Sequence, residues 1–327
     1  MLGATSLGDL QYAYDDAGRR TAIWGSLARF RLPEAMRSAT YDDANRRTAQ
    51  GAATLAWDDN GNLTDDGTNT YAWDSRNQLT GIRDRSGTIA SFTYDPLGRR
   101  EGATIDGSTR SFVYDGWNVV KEDGTSSDAI LMNGLGLDQV FARTIGTTTS
   151  SVLADALGST TALADDRGAI TDELAYGPFG ESDTTVDHPF QYTGRENDGT
   201  GLYQYRNRYY SPTMKRFISE DPTGMAGSGT NYYAYNNNDP LDFTDPLGTT
   251  PWLPGGWSPP NPIAWVGDQI APSSGYNSFN LDGHLGVGLG LSFQVSCNGK
   301  FSVGINIGPA SERPRAGRTR RAPRHRR

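Results

Sequence analysis

The feature that most constrains this chain is a short motif that recurs through its first half. The motif places an aromatic residue before Asp, with Gly or Asn three positions after that Asp. Successive aromatic residues of the motif are 27, 16, 16, 21 and 20 residues apart. A period near 20 residues indicates an array of small supersecondary units. The copies begin at Tyr14, Tyr41, Trp57, Trp73, Tyr94 and, in a weaker form, Tyr114.

Each copy of the motif predicts a tight turn between two strands. The Asp side chain accepts hydrogen bonds inside the turn, and Gly or Asn takes the left-handed position. A content of 40 Gly, with 16 Tyr against 11 Phe, is typical of β-structure with many turns. We therefore predict an all-β chain with a hairpin about every 20 residues. Such an array forms a long twisted sheet, which must cover its edges by curling.

The second half carries a different set of motifs, and it ends in three Asp-Pro steps at Asp221, Asp239 and Asp245. The first and last of these steps are followed by x-Gly. The motifs before and through them are DALGS at 155–159, YGPFG at 176–180, FQYTGRE at 190–196, GLYQYRNRYY at 201–210 and the stretch 216–248.

Together, these motifs and the aromatic-Asp repeats resemble the YD repeats and the repeat-associated core of the RHS and teneurin proteins. The resemblance covers 12–248. It implies a hollow β-shell that, in bacteria, surrounds a toxic C-terminal segment in interbacterial polymorphic toxins or in insecticidal toxin complexes. We accordingly expect a YD-repeat shell segment at 1–150, the RHS core at 151–248, a variable segment at 249–310 and an Arg-rich tail at 311–327.

The resemblance also implies partners and a route out of the cell. A family shell needs many hundreds of residues, so the expected partner is the rest of the shell, as upstream chain or another subunit. A cognate immunity protein for the C-terminal segment is a second expected partner. The start of the chain has no signal-peptide pattern, and no 18-residue apolar run predicts a transmembrane helix. Export is therefore expected through a specialised secretion system, to the exterior or the cell surface.

In this family the core ends in a pair of aspartates that resembles an aspartyl protease, and the chain cuts itself after D-P-x-G. Asp221 matches the first aspartate and Asp245 the second, with Arg216 as a supporting basic residue. The implied junction is Gly248 and Thr249. The family usually has Leu where this chain has Thr249, so the cut is expected on either side of that residue.

The chemistry of two close carboxylates supports this role, but the motif also has a purely structural interpretation. Two carboxylates held together cannot both ionise cheaply, so one keeps a proton and serves as an acid while the other serves as a base. Asp-Pro-x-Gly is also a good turn sequence without any chemistry. Both interpretations remain open from the sequence.

Other polar residues indicate no cofactor and no metal site. His188, His284 and His325 lack metal-ligand spacing, and Cys297, the single cysteine, has no evident catalytic partner. The run 203–210 contains Tyr together with Arg206 and Arg208. It predicts a strand with aromatic and cationic packing, with stacking on sugar or nucleic acid as the alternative.

The chain after the junction changes in composition. Residues 249–274 are rich in Pro, Trp and Gly and predict a linker. Apolar residues then alternate from Leu285 to Cys297 and again from Phe301 to Ile307, around an Asn298-Gly299 turn. This pattern predicts a β-hairpin, either in a small antiparallel domain or as a membrane-inserting pore hairpin.

The last 17 residues hold eight Arg and one Glu, whereas the rest of the chain is strongly acidic. They predict a disordered tail that binds polyanions, with a frameshift remnant as the alternative. At the level of function, the alternative to a shell is a YD-repeat surface module that binds carbohydrate or protein without catalysis. The break in composition after Gly248 favours the shell.

Overall fold

The computed structural model describes residues 7–16, 19–32, 38–124 and 127–251, with 228 by its backbone alone, and the backbone of three strands within 283–307. The chain divides into two compact units, Met1–Ile270 and Ala271–Arg327. The described residues are almost entirely β-strand and turn. The helical pieces are one short α-helix, α1 (Met225–Ser228), and 3-10 turns at Tyr192–Gly194 and Asn236–Asn238.

The first unit begins with two small antiparallel sheets and continues into a large one. Strands β1 and β2 form a hairpin, and β3, β4 and β5 form a three-stranded sheet. The bounds are β1 Gln11–Tyr14, β2 Arg20–Trp24, β3 Ala39–Tyr41, β4 Arg47–Gln50 and β5 Ala53–Thr54.

The large sheet has 13 strands, and every strand pairs with its neighbours in sequence. This uninterrupted antiparallel meander confirms the predicted all-β hairpin array. Its strands are β6 Ala56–Trp57, β7 Leu63–Asp65, β8 Thr70–Trp73, β9 Leu79–Asp84, β10 Gly87–Tyr94, β11 Arg100–Ile105, β12 Ser108–Asp115, β13 Asn118–Gly124, β14 Ala129–Asn133, β15 Val140–Ile145, β16 Thr148–Ala154, β17 Thr160–Ala164 and β18 Ile170–Glu173.

The repeated motif forms the predicted turn. In the copy at Asp95, Oδ1 accepts the backbone N–H groups of Leu97 and Arg99, each at 2.9 Å, and Gly98 has a φ of +85°. Only a residue that tolerates the left-handed region fits this position, which explains the choice of Gly or Asn. The same aspartate-capped turn recurs at Asp15, Asp42, Asp58, Asp74, Asp155 and Asp165.

In four of the six copies, the aromatic residue of the motif donates a side-chain hydrogen bond to a backbone carbonyl earlier in the chain. The Tyr94 hydroxyl donates to the carbonyl of Leu79 at 2.7 Å, and the Trp73 indole N–H donates to the carbonyl of Leu63 at 2.7 Å. Both acceptors begin the preceding strand. In these copies the bond requires an aromatic ring with a polar tip, which Tyr and Trp supply and Phe does not. The equivalent bonds join Trp57 to Arg47 and Tyr114 to Arg100.

The weak copy at Tyr114 forms a different turn. Asp115 pairs with Asn118 inside the β12–β13 ladder, so Gly116 and Trp117 make a two-residue connection. Gly116 has a φ of +59°. This shorter turn explains why the motif is incomplete there.

A four-stranded antiparallel sheet packs on one face of the large sheet. Leu202, Tyr209 and Ile218 from this region are buried with strand residues such as Leu79 and Phe92. A second core of tyrosines and Phe217 lies on the other side of the small sheet's strands. The strands are β19 Glu196–Asn197, β20 Tyr203–Tyr205, β21 Arg208–Ser211 and β22 Arg216–Phe217.

The second unit contains a three-stranded antiparallel sheet of β23 (Gly283–Leu285), β24 (Leu289–Val295) and β25 (Phe301–Ile307). Val295 pairs with Phe301, so β24 and β25 form the predicted hairpin. The predicted first strand does not begin at Leu285, because Leu285 belongs to β23 and pairs antiparallel with Leu289 of β24. The predicted Arg-rich tail at 311–327 and most of the predicted linker lie outside the described residues. No helix in the described part of the chain is long and apolar enough to cross a membrane.

Candidate functional site

Arg208 lies at the centre of the candidate site, at the start of β21. Its side chain is 1% exposed. The guanidinium carbon is 3.6 Å from the ring centroid of Phe217, and Nη1 donates to the carbonyl of Tyr232 at 2.8 Å. These contacts hold the guanidinium in one orientation, so its remaining nitrogens meet fixed partners. The buried β20 and β21 also confirm that the run 203–210 forms strands with aromatic and cationic packing.

Two aspartates contact the same nitrogen of Arg208. Nη2 lies 3.0 Å from Oδ2 of Asp221 and 3.5 Å from Oδ2 of Asp245. The two carboxylate side chains are 0% and 2% exposed, so water screens their charges weakly. The fold thus brings together the two aspartates that the sequence pairs, and their catalytic role stays a prediction.

Each aspartate also opens a turn, as the structural interpretation of Asp-Pro-x-Gly requires. The Gly224 N–H donates to the carbonyl of Asp221 at 2.9 Å, and the Gly248 N–H donates to the carbonyl of Asp245 at 3.0 Å. Oδ1 of Asp221 also accepts the backbone N–H of Thr223 at 2.8 Å. The turns place both carboxylates beside Arg208, so the structural and chemical interpretations are compatible.

The peptide bond between Gly248 and Thr249 is held at both ends. Nε of Arg208 donates to the carbonyl oxygen of Gly248 at 2.5 Å. On the other side of the bond, Oδ1 of Asp245 accepts the N–H of Thr249 at 2.9 Å and that of Thr250 at 3.0 Å. A cation therefore contacts the carbonyl oxygen while a carboxyl group contacts the amide nitrogen.

Burial changes the acidity of the groups around this bond. It raises the pKa of Asp245 to about 6, with Arg208 and the two junction amides opposing the shift. Burial also lowers the pKa of Arg208 from its ordinary value. Asp245 is therefore a carboxyl group that holds a proton closer to neutral pH than an exposed aspartate does.

Gly227 leaves room for the junction to approach Asp221. A Cβ atom at this position would lie 2.1 Å from the carbonyl oxygen of Thr249, 2.2 Å from Oγ1 of Thr223 and 2.8 Å from Oδ2 of Asp221. Real Cβ atoms do not make such contacts, so the site requires glycine here.

The basic residue chosen from the sequence, Arg216, has other contacts. Its Nη2 lies 3.3 Å from Oδ1 of Asn231, and its guanidinium lies over the rings of Tyr41 and Tyr233. Arg208 instead contacts both aspartates, and the sequence interpretation missed it. The available signal was its place in an Arg-x-Arg pair at a hairpin turn, which alone does not reveal a partner 40 residues later.

The other polar residues that the sequence singles out do not join this site. His188 is buried against Phe190, and burial lowers its pKa to about 4. Within the ranges that the structure describes, no three His, Cys, Asp or Glu residues converge to hold a metal ion. Cys297, His325 and the side chain of His284 lie outside the described residues.

Comparison with known proteins identifies relatives of the whole repeat region. A family model described as teneurin YD-shell matches residues 5–241. The tRNA3(Ser)-specific nuclease WapA of Bacillus spizizenii is 29% identical over an alignment of 272 residues, and the match covers 75% of this chain and 11% of that protein. The double-stranded DNA deaminase toxin A of Burkholderia cenocepacia is 29% identical over 194 residues, covering 48% of this chain and 14% of the relative.

A shorter match with a higher percentage identity concerns a toxin subunit. YenC2 of Yersinia entomophaga is 48% identical over 65 residues, which are 19% of this chain and 7% of that protein. Among solved structures, the TcdB2-TccC3-Cdc42 complex matches with a TM-score of 0.51 at 20% identity, covering 74% of this chain and 17% of that chain. The structural match supports the fold alone. The chain spans only a small part of the length of each of these proteins.

Proposed function

Because this chain belongs to the teneurin YD-shell family, we propose that it is part of a β-shell that encloses a variable segment after Gly248 and releases it by self-cleavage. The bond cut in this proposal joins Gly248 to Thr249. The RHS-type toxin relatives support a shell role, and the contacts around the junction support the cleavage.

The observation that carries the proposal is that two side chains, Arg208 and Asp245, hydrogen-bond to the two ends of the Gly248–Thr249 peptide bond. Arg208 Nε donates to the carbonyl oxygen, where negative charge develops when water adds to the carbonyl carbon. Asp245 lies on the amide nitrogen, which must gain a proton before the C–N bond breaks. The cation therefore already contacts the carbonyl oxygen, and the carboxyl group lies beside the nitrogen, where its Oδ1 accepts the N–H before the reaction.

The proposed reaction assigns one role to each aspartate. Ionised Asp221 takes a proton from water as the water oxygen bonds to the carbonyl carbon of Gly248. In the resulting tetrahedral adduct the lone pair of the Thr249 nitrogen is no longer delocalised, and protonated Asp245 gives its proton to that lone pair. The oxyanion then re-forms the C=O bond as the C–N bond breaks. The products are a carboxyl group on Gly248 and an amine on Thr249. The raised pKa of Asp245 favours the protonated form that this role needs.

The names of the relatives support a variable cargo. The matched region is shared by proteins named as a tRNA nuclease, a DNA deaminase toxin and a toxin subunit. A shared region in two proteins with different named activities, and in a toxin subunit, fits a container whose contents differ. In this proposal the segment after Gly248 is the toxin-like cargo. An adhesion module, the alternative function, explains none of the contacts at the junction.

The partners and destination follow from the same proposal. The remainder of the shell binds along the sheet edges, and an immunity protein neutralises the released segment in the producing cell. The eight arginines of the last 17 residues give the cargo a contact for polyanions. Delivery to a competing bacterium or an insect host proceeds through a specialised secretion system.

Expression of the wild-type chain and three single variants tests the cleavage. Gel analysis should show two pieces for the wild type and an intact chain for Asp221→Asn and Asp245→Asn. Asp239→Asn is the matched control, because it changes the middle Asp-Pro step and leaves the contacts of Arg208 in place. It should cut like the wild type. The proposal is wrong if all four proteins give the same pattern.

A further inference from the structure

The hairpin turn between β20 and β21 has an unusual residue at its first central position. Tyr205 pairs with Arg208, so Arg206 and Asn207 form a two-residue turn. Arg206 has a φ of +53°, in the left-handed region that favours glycine. An arginine held in this conformation indicates that its side chain makes contacts that offset the strain.

The two turn residues and the first residue of β21 contact three consecutive carbonyl groups, Arg206 that of Pro246, Asn207 that of Leu247 and Arg208 that of Gly248. Arg206 Nη1 donates to the carbonyl of Pro246. Asn207 donates to the carbonyl of Leu247 from its side-chain amide at 2.9 Å and from its backbone N–H at 3.3 Å. The next residue, Arg208, donates to the carbonyl of Gly248. A shift of the junction by one residue would break all of these bonds together.

The turn is itself anchored to the repeat array. Asp138, in the connection between β14 and β15, accepts from Arg206 at 2.6 Å and 3.0 Å. The Arg206 guanidinium also donates to the carbonyl of Trp117 at 3.1 Å. The Asp138 side chain is only 9% exposed, and it also accepts from Arg195 at 2.6 Å. Residues of the repeat array thus hold the Arg206 guanidinium in place, and Arg206 in turn holds the carbonyl of Pro246.

We propose that the Arg206-Asn207 turn selects which peptide bond is cut, by holding the D-P-x-G segment in a single register against the repeat array. Arg206 and Asn207 are positioning residues, and Arg208, the first residue of β21, touches the reacting carbonyl. This inference rests on the proposed self-cleavage and adds its specificity: the bond after Gly248 is chosen by position in the turn, whatever residue follows it.

The first test compares Arg206→Gln with Arg143→Gln. Arg143 is a matched control because it is also a buried arginine of an ion pair, with Glu122 at 3.0 Å, and its contacts lie away from the junction. Mass spectrometry of the fragments should show cleavage after Gly248 slowed at least ~10-fold, or additional cuts at neighbouring bonds, for Arg206→Gln alone. Equal rates and identical cut positions in both variants would overturn the inference.

Asn207→Gly separates positioning from stability. Asn207 is exposed, and glycine keeps the backbone N–H and suits a tight turn, so the thermal midpoint should not fall. The loss of the side-chain bond to Leu247 should nevertheless slow the cut several-fold. A variant that cuts at the wild-type rate contradicts a positioning role for this side chain.

Hydrogen exchange distinguishes failure of this inference from failure of the cleavage proposal. In the full chain carrying Asp221→Asn, adding Arg206→Gln should speed amide exchange at 247–250 several-fold, and adding Arg143→Gln should not. Unchanged exchange would overturn the positioning role whether or not the wild type cuts itself. If amide exchange became faster but the wild type did not cut itself, the positioning role of Arg206 would stand and the self-cleavage proposal would be wrong.

Discussion

Nε of Arg208 donates a 2.5 Å hydrogen bond to the carbonyl oxygen of Gly248, 40 residues later in the chain. The same guanidinium contacts Asp221 and Asp245 through Nη2. One side chain therefore joins both Asp-Pro-x-Gly turns to the peptide bond that follows the second. This arrangement surrounds the Gly248–Thr249 peptide bond with charged and ionisable side chains of the same chain.

Replacing Arg208 with Gln should slow self-cleavage by about 100-fold or more, because the variant loses the cation on the Gly248 carbonyl. The measurement is the half-time of conversion of the intact chain in a pulse-chase experiment. Arg216→Gln is the control, since that buried arginine contacts Asn231, Tyr41 and Tyr233. Equal slowing of both variants would assign the effect to loss of a buried charge in general.

Gly227→Ala should block cleavage with little effect on the rest of the fold. The added methyl group would meet the Thr249 carbonyl oxygen at 2.1 Å and push the junction away from Asp221. Gly81→Ala is a fair control, because its Cβ would meet its nearest neighbour, the Ala90 carbonyl oxygen, at 3.4 Å. Gel analysis should show an intact Gly227→Ala chain and a cut Gly81→Ala chain. Full cleavage of Gly227→Ala would count against the observed geometry.

Tyr94→Phe should lower the free energy of unfolding by about 0.5–1.5 kcal/mol, because it removes the hydroxyl bond to Leu79 and retains the ring. Urea unfolding monitored by fluorescence measures the change. Tyr14→Phe alters an aromatic residue of the same motif whose side chain is 55% exposed, and its effect should be close to zero. If the two variants lowered the free energy of unfolding by similar amounts, the hydroxyl bond would not explain the choice of Tyr or Trp at this position.

The carboxyl group of Asp245 should titrate near pH 6, because burial favours its neutral form. Carbon-13 NMR of the carboxyl group, assigned by comparison with Asp245→Asn, measures this pKa. The folded state binds this proton more tightly than the unfolded chain. Asp245 therefore stabilises the fold most below its ordinary pKa, and this contribution is lost as the pH rises through about 6. A titration midpoint of the Asp245 carboxyl group at or below pH 4 would contradict its buried environment.

The turns of the array were predictable from sequence because the hydrogen bonds that form each turn join residues within five positions of one another. An Asp that caps N–H groups two and four residues later, with Gly or Asn between them, needs no distant partner. The same turn at Asp165 shows that the aromatic residue is dispensable, since Ala164 stands before it. The spacing Asp-x-x-Gly carries the signal there, and a search keyed to Tyr or Trp overlooks it.

The candidate site was only partly predictable for the opposite reason. The two aspartates stand out because they share the Asp-Pro-x-Gly motif. Arg208 does not stand out, since its role depends on how β21 packs against the turn at Asp245 in the folded chain. Arg216 is closer to Asp221 in sequence, but its side chain meets Asn231 instead. Sequence proximity is a poor guide to ion pairs between strands.

Self-cleavage after Gly248 is tested by the mass of the C-terminal fragment that the purified wild-type chain releases. We expect a fragment whose first residue is Thr249 and which is absent from the Asp221→Asn protein. A wild-type chain that stays intact at 35.4 kDa, or a fragment that appears equally in both proteins, would contradict it.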